Sequence, residues 1–296
     1  MFEPLNNYIE NEVKEKNLDF YSVILGSKPS QGARSPTLWN KVYRFEQKKI
    51  RMIPLDVKEE NLKALFNYLK EDKHCLGGAV AVPFKEKVFS LVKDYVKKEI
   101  KVIGAVNCFY RSTSGLFLNE FTGTNTDGEA ALEPVREYLT KNQNLTIGLL
   151  GFGGAGKAIS AFLLKDFKKK HQIHIFNRSI GNINHTNKNA LNLFSLNDLE
   201  SYIPHIDLLI NATSAGHVEN IVASPVSTEI LKKAKKTMIV YDIIYDPIET
   251  MLLRNCEEIG LRTMNGLRMN LMQAVLSYRY TNKTILSMEE IYKAMN

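Results

Sequence analysis

The stretch "LTIGLLGFGGAGKAISAFLL", residues 145–164, decides the fold. Its first six residues form a short apolar run of strand length. Glycines then crowd residues 151–156, and the remainder carries apolar side chains at helical spacing. Gly151, Gly153 and Gly156 fit G-x-G-x-x-G, with Gly154 and Ala155 completing the turn. That spacing alone also occurs in ordinary glycine turns. Here a strand runs directly into it and a helix directly out of it, which gives the glycines a use. They permit a tight turn and close backbone approach, and the helix N-terminus offers N–H donors and positive dipole to a pyrophosphate. The expected ligand is a dinucleotide.

The next strand selects the cofactor. In "QIHIFNRS", residues 172–179, the apolar run ends on Asn177 and Arg178, with no acidic residue nearby. A carboxylate there would bind a ribose 2′-hydroxyl and repel a 2′-phosphate; a guanidinium binds the phosphate. NADP is therefore expected over NAD.

Strands and amphipathic helices alternate outward in both directions, which predicts an α/β fold built around parallel sheets. Before the glycine turn, "FYSVIL" (20–25), "KIRMIPL" (49–55) and "GGAVAV" (77–82) read as strands. Helices are expected near 36–47, near 59–71, after Pro83 and over 129–142. After the turn come strands "DLLINA" (207–212) and "TMIVYDI" (237–243), then helices near 267–280 and 287–295. No internal repeat or low-complexity tract interrupts the pattern.

The totals exclude several classes. The 296 residues suit two domains, with 44% hydrophobic and 24% charged residues. No apolar run approaches the roughly 18–20 residues that span a bilayer, and the polar, acid-containing start is no secretory signal. A cytoplasmic location is expected. Cys75, Cys108 and Cys256 are odd in number and lack CxxC spacing, and the six histidines include no HExxH, so neither disulfides nor a metal are expected. The net charge of +7 is spread through helices that also carry glutamate, which argues for a solvated surface and against nucleic acid.

Further motifs stand in order along the chain: "GARSP" (32–36), "GGAVAVPFKE" (77–86), "GAVN" (104–107), "GTNTDG" (123–128), "INATSAG" (210–216), "YDIIYDP" (241–247) and "NGLRMNLMQA" (265–274). Together with "GFGGAGKA" and "NRS", this set resembles the shikimate dehydrogenase family over nearly the whole chain. The resemblance implies an N-terminal α/β substrate domain (1–128 with 265–296) and a Rossmann-type NADP domain (129–264), with the C-terminal helices returning to the first domain. It implies an active site in the cleft between them and reversible hydride transfer between NADP and a cyclic hydroxy acid, 3-dehydroshikimate/shikimate in the family. By the same likeness Lys85 and Asp127 are the catalytic pair. Ser35, Asn107, Tyr245 and Gln273 would bind substrate, and Thr213, Ser214, Ile243 and Gly266 would line the cofactor. The expected partner is the small acid alone, with neither nucleic acid nor membrane, for a monomer or homodimer. Lys85 also has a local rationale: Pro83 ends strand pairing and releases the lysine at a helix start.

The chain departs from the family pattern at one pole. The family's Ser-x-Ser-Pro is Ala33-Arg34-Ser35-Pro36, its N-x-T-x-P-x-K carries Ala79 and Ala81, a histidine is Trp39, and a glycine is Arg268. Residues 79 and 81 share a strand face, the one whose family residues point at substrate. Methyl groups there remove hydrogen bonds to a charged ligand, each worth roughly 1.5–3 kcal/mol. Three readings stay open: shikimate itself, a quinate-like or amino-substituted ring, and an NADP-binding sensor without turnover.

Overall fold

The computed structural model describes residues 4–15, 17–81, 83–113, 118, 120–179, 192–217 and 220–296. They fall into two compact units, Met1–Thr126 with Leu271–Asn296, and Asp127–Asn270.

The first unit is built on strands β1 (Phe20–Gly26), β2 (Ile50–Asp56), β3 (Cys75–Val80), β4 (Cys108–Arg111) and β5 (Phe121–Thr124), in the order β2-β1-β3-β4-β5. β1 lies parallel to β2 and β3, and helices Arg34–Phe45 and Leu62–Glu71 make the crossovers. Every residue of β1 after Phe20 is buried, which is why the strand reads as a continuous apolar run.

The parallel core expected from the sequence is extended at the other edge of this unit by antiparallel strands. β3 pairs antiparallel with β4, and β4 with β5. The last two strands are four residues long and carry no usable hydrophobic period. Packing recruits them: Phe109 on β4 and Phe121 on β5 lie edge-to-face at 5.0 Å, and both rings meet Phe66 at 5.2 and 5.5 Å. Arg111, at the end of β4, ties this edge to the helix beside it. Its guanidinium donates to the carbonyls of Leu69, Lys70 and Asp72 at the helix C-terminus and to Cys75 O, and lies 4.5 Å over the Phe121 ring. Cations are favoured where helix carbonyls lack intrahelical partners.

The strand expected over 77–82 spans Cys75–Val80 instead, and Val82 lies outside the described residues. Ala81 N still donates to Leu25 O at 2.8 Å, and Phe84 N then turns back to Ala81 O at 3.0 Å. That turn delivers helix Lys85–Val92.

Among the described residues the second unit holds six strands: β6 (Thr146–Leu150), β7 (Gln172–Asn177), β8 (Asn192–Ser195), β9 (Leu208–Asn211), β10 (Ile239–Asp242) and β11 (Arg262–Met264). All pairings are parallel, in the order β11-β10-β9-β6-β7-β8. Read from β8 to β11, the sheet places its strands third, second, first, fourth, fifth, sixth in chain order, the doubly wound order of dinucleotide-binding sheets. The order reverses between β6 and β9, so the loops leaving these two strands flank the switch point where such sheets bind ligands. Leu150, Phe176, Leu209 and Val240 anchor one core cluster of this sheet.

The helix expected from residue 129 starts earlier, as Thr126–Lys141. Its first N–H is capped from far along the chain: Thr126 N donates to Asn107 Oδ1 at 2.8 Å. No local signal carries such a cap, so the sequence pattern places the helix start too late.

Arg111→Ala is expected to lower the free energy of unfolding by roughly 2–4 kcal/mol, since several charge-assisted hydrogen bonds go together. Urea denaturation checks this; a loss below about 1 kcal/mol would contradict the role given to the guanidinium.

Candidate active site

In the second unit the glycine turn joins β6 to helix Gly154–Phe167. Gly151 has φ +91°, and a Cβ there would stand 2.9 Å from Thr213 Cγ2. A Cβ on Gly156 would lie 2.1 Å from Gly151 O, so the helix can begin this close to the strand end only with glycine there. Gly153 and Gly154 differ: a Cβ on either meets nothing within 4 Å, so this backbone faces open space. Gly153 is the N-cap and makes no side-chain cap hydrogen bond. The first turn, Gly154 to Gly156, carries N–H groups that have no intrahelical acceptor, next to the open space at Gly153 and Gly154. The turn fits the pyrophosphate of a dinucleotide.

Asn177 and Arg178 stand at the end of β7. The Asn177 side chain braces the turn: Oδ1 accepts from Phe152 N at 3.1 Å and Nδ2 donates to Ser179 O at 3.0 Å. Arg178 is exposed beside it. Loop 212–216, leaving β9, runs past Gly151 through Thr213, while Ser214 is exposed. Gly266 completes the set, because a Cβ there would lie 1.9 Å from Ile243 O. The structure thus gathers Gly151–Gly156, Asn177 and Thr213 at the switch point and sets Gly266 against Ile243. Tyr245 is 39% exposed on the loop after β10.

Asn211 and Asp242, to which the sequence motifs assign no role, hold these loops, and Thr250 caps the helix that follows. Asp242, at the end of β10, is fully buried, as are Asn211 and Thr250. Burial pushes the Asp242 carboxyl above the usual carboxylate range, against the pull of hydrogen bonds from Thr250, Ile244 N and Asn211. "INATSAG" and "YDIIYDP" did contain the signal, a polar side chain closing an apolar strand.

In the first unit Lys85 is half-buried and opens helix Lys85–Val92. Its carbonyl accepts from Val106 N at 3.0 Å, which fixes the helix start against the segment that carries Asn107. Asn107 is buried, and besides receiving Thr126 N it donates through Nδ2 to Thr126 Oγ1 at 3.0 Å. Thr126 Oγ1 lies 3.1 Å from Gln273 O and 2.8 Å from Ser277 Oγ. Thr126 therefore links Asn107 to the helix segment of Gln273, and Asp127 follows it as the first residue of the second unit. Ser35 lies in the first turn of helix Arg34–Phe45, with Ala33 as its N-cap. Ala79 is buried, paired with Ile24 on β1 and Cys108 on β4, and Ala81 is half-buried.

Trp39 turns out to be a core residue. It is fully buried and packs edge-on against Tyr278, with ring centroids 5.4 Å apart. Its indole therefore fills the first unit's core. Arg268 is exposed in the first turn of helix Leu267–Thr281.

Other nucleophiles are quiet. Burial pushes the Cys75, Cys108 and Cys256 thiols up to about 12, which keeps them protonated at neutral pH. Among the described residues no group of three or more His, Cys, Asp or Glu could hold a metal ion, and no helix is long and apolar enough to cross a membrane.

Known proteins match this arrangement along nearly the whole chain. The sequence model of the shikimate dehydrogenase substrate binding domain matches residues 25–109, and that of shikimate / quinate 5-dehydrogenase matches residues 133–268. A shikimate dehydrogenase (NADP(+)) of Methanococcus vannielii is 31% identical over 273 residues, covering 88% of this chain and 92% of that protein. The crystal structure of shikimate dehydrogenase from Aquifex aeolicus superposes with a TM-score of 0.76 at 26% identity, covering 95% of this chain and 99% of that one. A shikimate dehydrogenase crystallised in complex with NADP+ gives 0.75 at 25% identity, with 94% of each chain covered. With a glycine turn at the switch point, the motifs in order and matches of this extent, the chain belongs to the shikimate dehydrogenase family.

Proposed function

We propose that this protein is an NADP-dependent oxidoreductase that interconverts 3-dehydroshikimate and shikimate or a closely related cyclic hydroxy acid. The observation that carries the reading is the open glycine turn at the sheet's switch point, in a chain whose relatives are shikimate dehydrogenases (NADP(+)). Gly153, Gly154, Ala155 and Gly156 would hold the pyrophosphate through backbone N–H groups, and Arg178 the 2′-phosphate. Thr213, Ser214, Ile243 and Gly266 would line the rest of the cofactor. Bound NADP supplies the acceptor for a hydride from the carbinol carbon.

The protein's own part is proton transfer and orientation. As the C–OH becomes C=O, the hydroxyl proton must leave, and Lys85 is the proposed acceptor; in the reverse direction it returns that proton. Asp127 is its proposed partner in this exchange. Asn107, Tyr245, Gln273 and Ser35 are assigned to the substrate's polar groups. Asn107 is held by Thr126, so little of its side chain's freedom remains to be lost on binding. The two units divide the work: the first, Met1–Thr126 with Leu271–Asn296, would bind the acid, and the second, Asp127–Asn270, would bind NADP.

The alanines bear on the substrate. Ala33 and Ala81 offer no hydroxyl, and Ala79, buried on its strand, offers no amide. The proposed binding pole for the acid is therefore poorer in donors, which favours weak binding of shikimate or a ring with its acidic group placed elsewhere.

Lys85→Ala and Asp127→Ala are each expected to lower kcat for shikimate oxidation by about 10²–10⁴-fold while leaving NADP+ affinity unchanged. Retained kcat in either variant would sink that assignment. The variant carrying Ala33→Ser and Ala81→Thr is expected to lower KM for shikimate by about tenfold or more, the effect of one restored hydrogen bond to a charged group. An unchanged KM would remove the argument from the alanines.

A further inference from the structure

The buried carboxylate of Asp242 has more donors than strand pairing explains. Oδ1 accepts from Asn211 Nδ2 at 3.0 Å and from Ile244 N at 3.1 Å, and Oδ2 accepts from Thr250 Oγ1 at 2.7 Å. It therefore gathers the end of β9, the loop after β10 and the start of helix Met251–Glu258 around one carboxyl group. Thr250 is the N-cap of that helix and accepts from Leu253 N.

The bond to Asn211 has a directional consequence. A side-chain amide has one donor end and one acceptor end. With Nδ2 turned to the carboxylate, Oδ1 must point the other way, and there it accepts both Thr213 N at 3.0 Å and Thr213 Oγ1 at 2.8 Å. Thr213 Oγ1 in turn accepts from Ala215 N at 3.2 Å. The reversed amide would set oxygen against carboxylate and N–H against N–H, two repulsive contacts at a residue sealed from solvent. Thr213 is also the residue whose Cγ2 limits the space at Gly151. A relay runs from Asp242 through Asn211 to the loop that borders the glycine turn.

We propose that Asp242 is a positioning residue for the dinucleotide: acting through the amide of Asn211, it holds the Thr213–Ala215 loop in the conformation that receives the cofactor. The proposal rests on the NADP reading above. Asp242 itself is fully buried and reaches the cofactor only through this relay. The loop is thereby ordered before binding, so its ordering cost is not charged against affinity.

The test is calorimetric titration of NADP+ into the full-length protein without substrate, with a melting curve for each variant. Wild type must bind. Asp242→Ala and Asn211→Ala are each expected to weaken binding about tenfold, the effect of losing one hydrogen bond of a coupled pair. The double variant is expected to bind no worse than either single one, because both cut the same relay. Thr250→Val removes a donor on the side away from Thr213; it is expected to lower Tm and to leave NADP+ affinity unchanged. Unchanged affinity in Asp242→Ala, additive losses of about a hundredfold in the double variant, or equal weakening by Thr250→Val would overturn the proposal. Should Asp242→Ala fail to fold, Asn211→Ala decides, since unchanged affinity there overturns it as well. Failure of wild type to bind would overturn the NADP reading and this proposal together, whereas binding by wild type with unaffected variants overturns only the proposal.

Discussion

The second unit depends on a contact that tolerates no side chain. Helix Gly154–Phe167 starts so close to β6 that a Cβ on Gly156 would come within 2.1 Å of Gly151 O. Only glycine lets the helix axis meet the strand end at that distance, and only that distance brings the helix N-terminus to the switch point between β6 and β9. Gly153 and Gly154 are free of this constraint. They face open space and leave the backbone bare. One glycine sets the architecture and two keep the site accessible, so a single short motif meets two physical demands.

Polar side chains at strand ends then hold the loops around this turn. Asn177 braces it from β7, and Asn211 with Asp242 orders the loop from β9. Each sits at the C-terminal end of a parallel strand, where the sheet's backbone pairing stops and exposed loop amides need acceptors. In the first unit Asn107 performs the same service, accepting Thr126 N and so fixing where the helix that carries Asp127 begins. Buried side-chain amides and one buried carboxylate thus position backbone that regular secondary structure no longer controls. That is a costly device, justified where loop geometry must be exact enough for binding.

What could be read in the sequence divides along the same line. The glycine turn, its strand and its helix are legible because their causes are local, and so are Asn177 and Arg178 at the end of β7. The order of motifs along the chain carries the family. Four short strands are not legible: Cys108–Arg111, Phe121–Thr124, Asn192–Ser195 and Arg262–Met264. They are three or four residues long and are defined by partners distant in sequence, so no hydrophobic period marks them. The antiparallel edge of the first sheet escapes the sequence pattern for that reason. Trp39, which reads as a departure at the substrate pole, is core packing against Tyr278. The cluster of Asn211, Asp242 and Thr250 is invisible to motif spacing because its meaning lies in mutual hydrogen bonds.

Hydride transfer from a cyclic carbinol to NADP+ is the reaction on which the account stands. Shikimate labelled with deuterium at its carbinol carbon, incubated with the protein and NADP+, tests it most directly, with the reduced nicotinamide analysed by mass and NMR. The account predicts deuterium on the nicotinamide ring of the NADPH formed, in proportion to the ketone produced. NADP+ that binds but stays unreduced with shikimate and other cyclic hydroxy acids, or NADPH without the label, would contradict it.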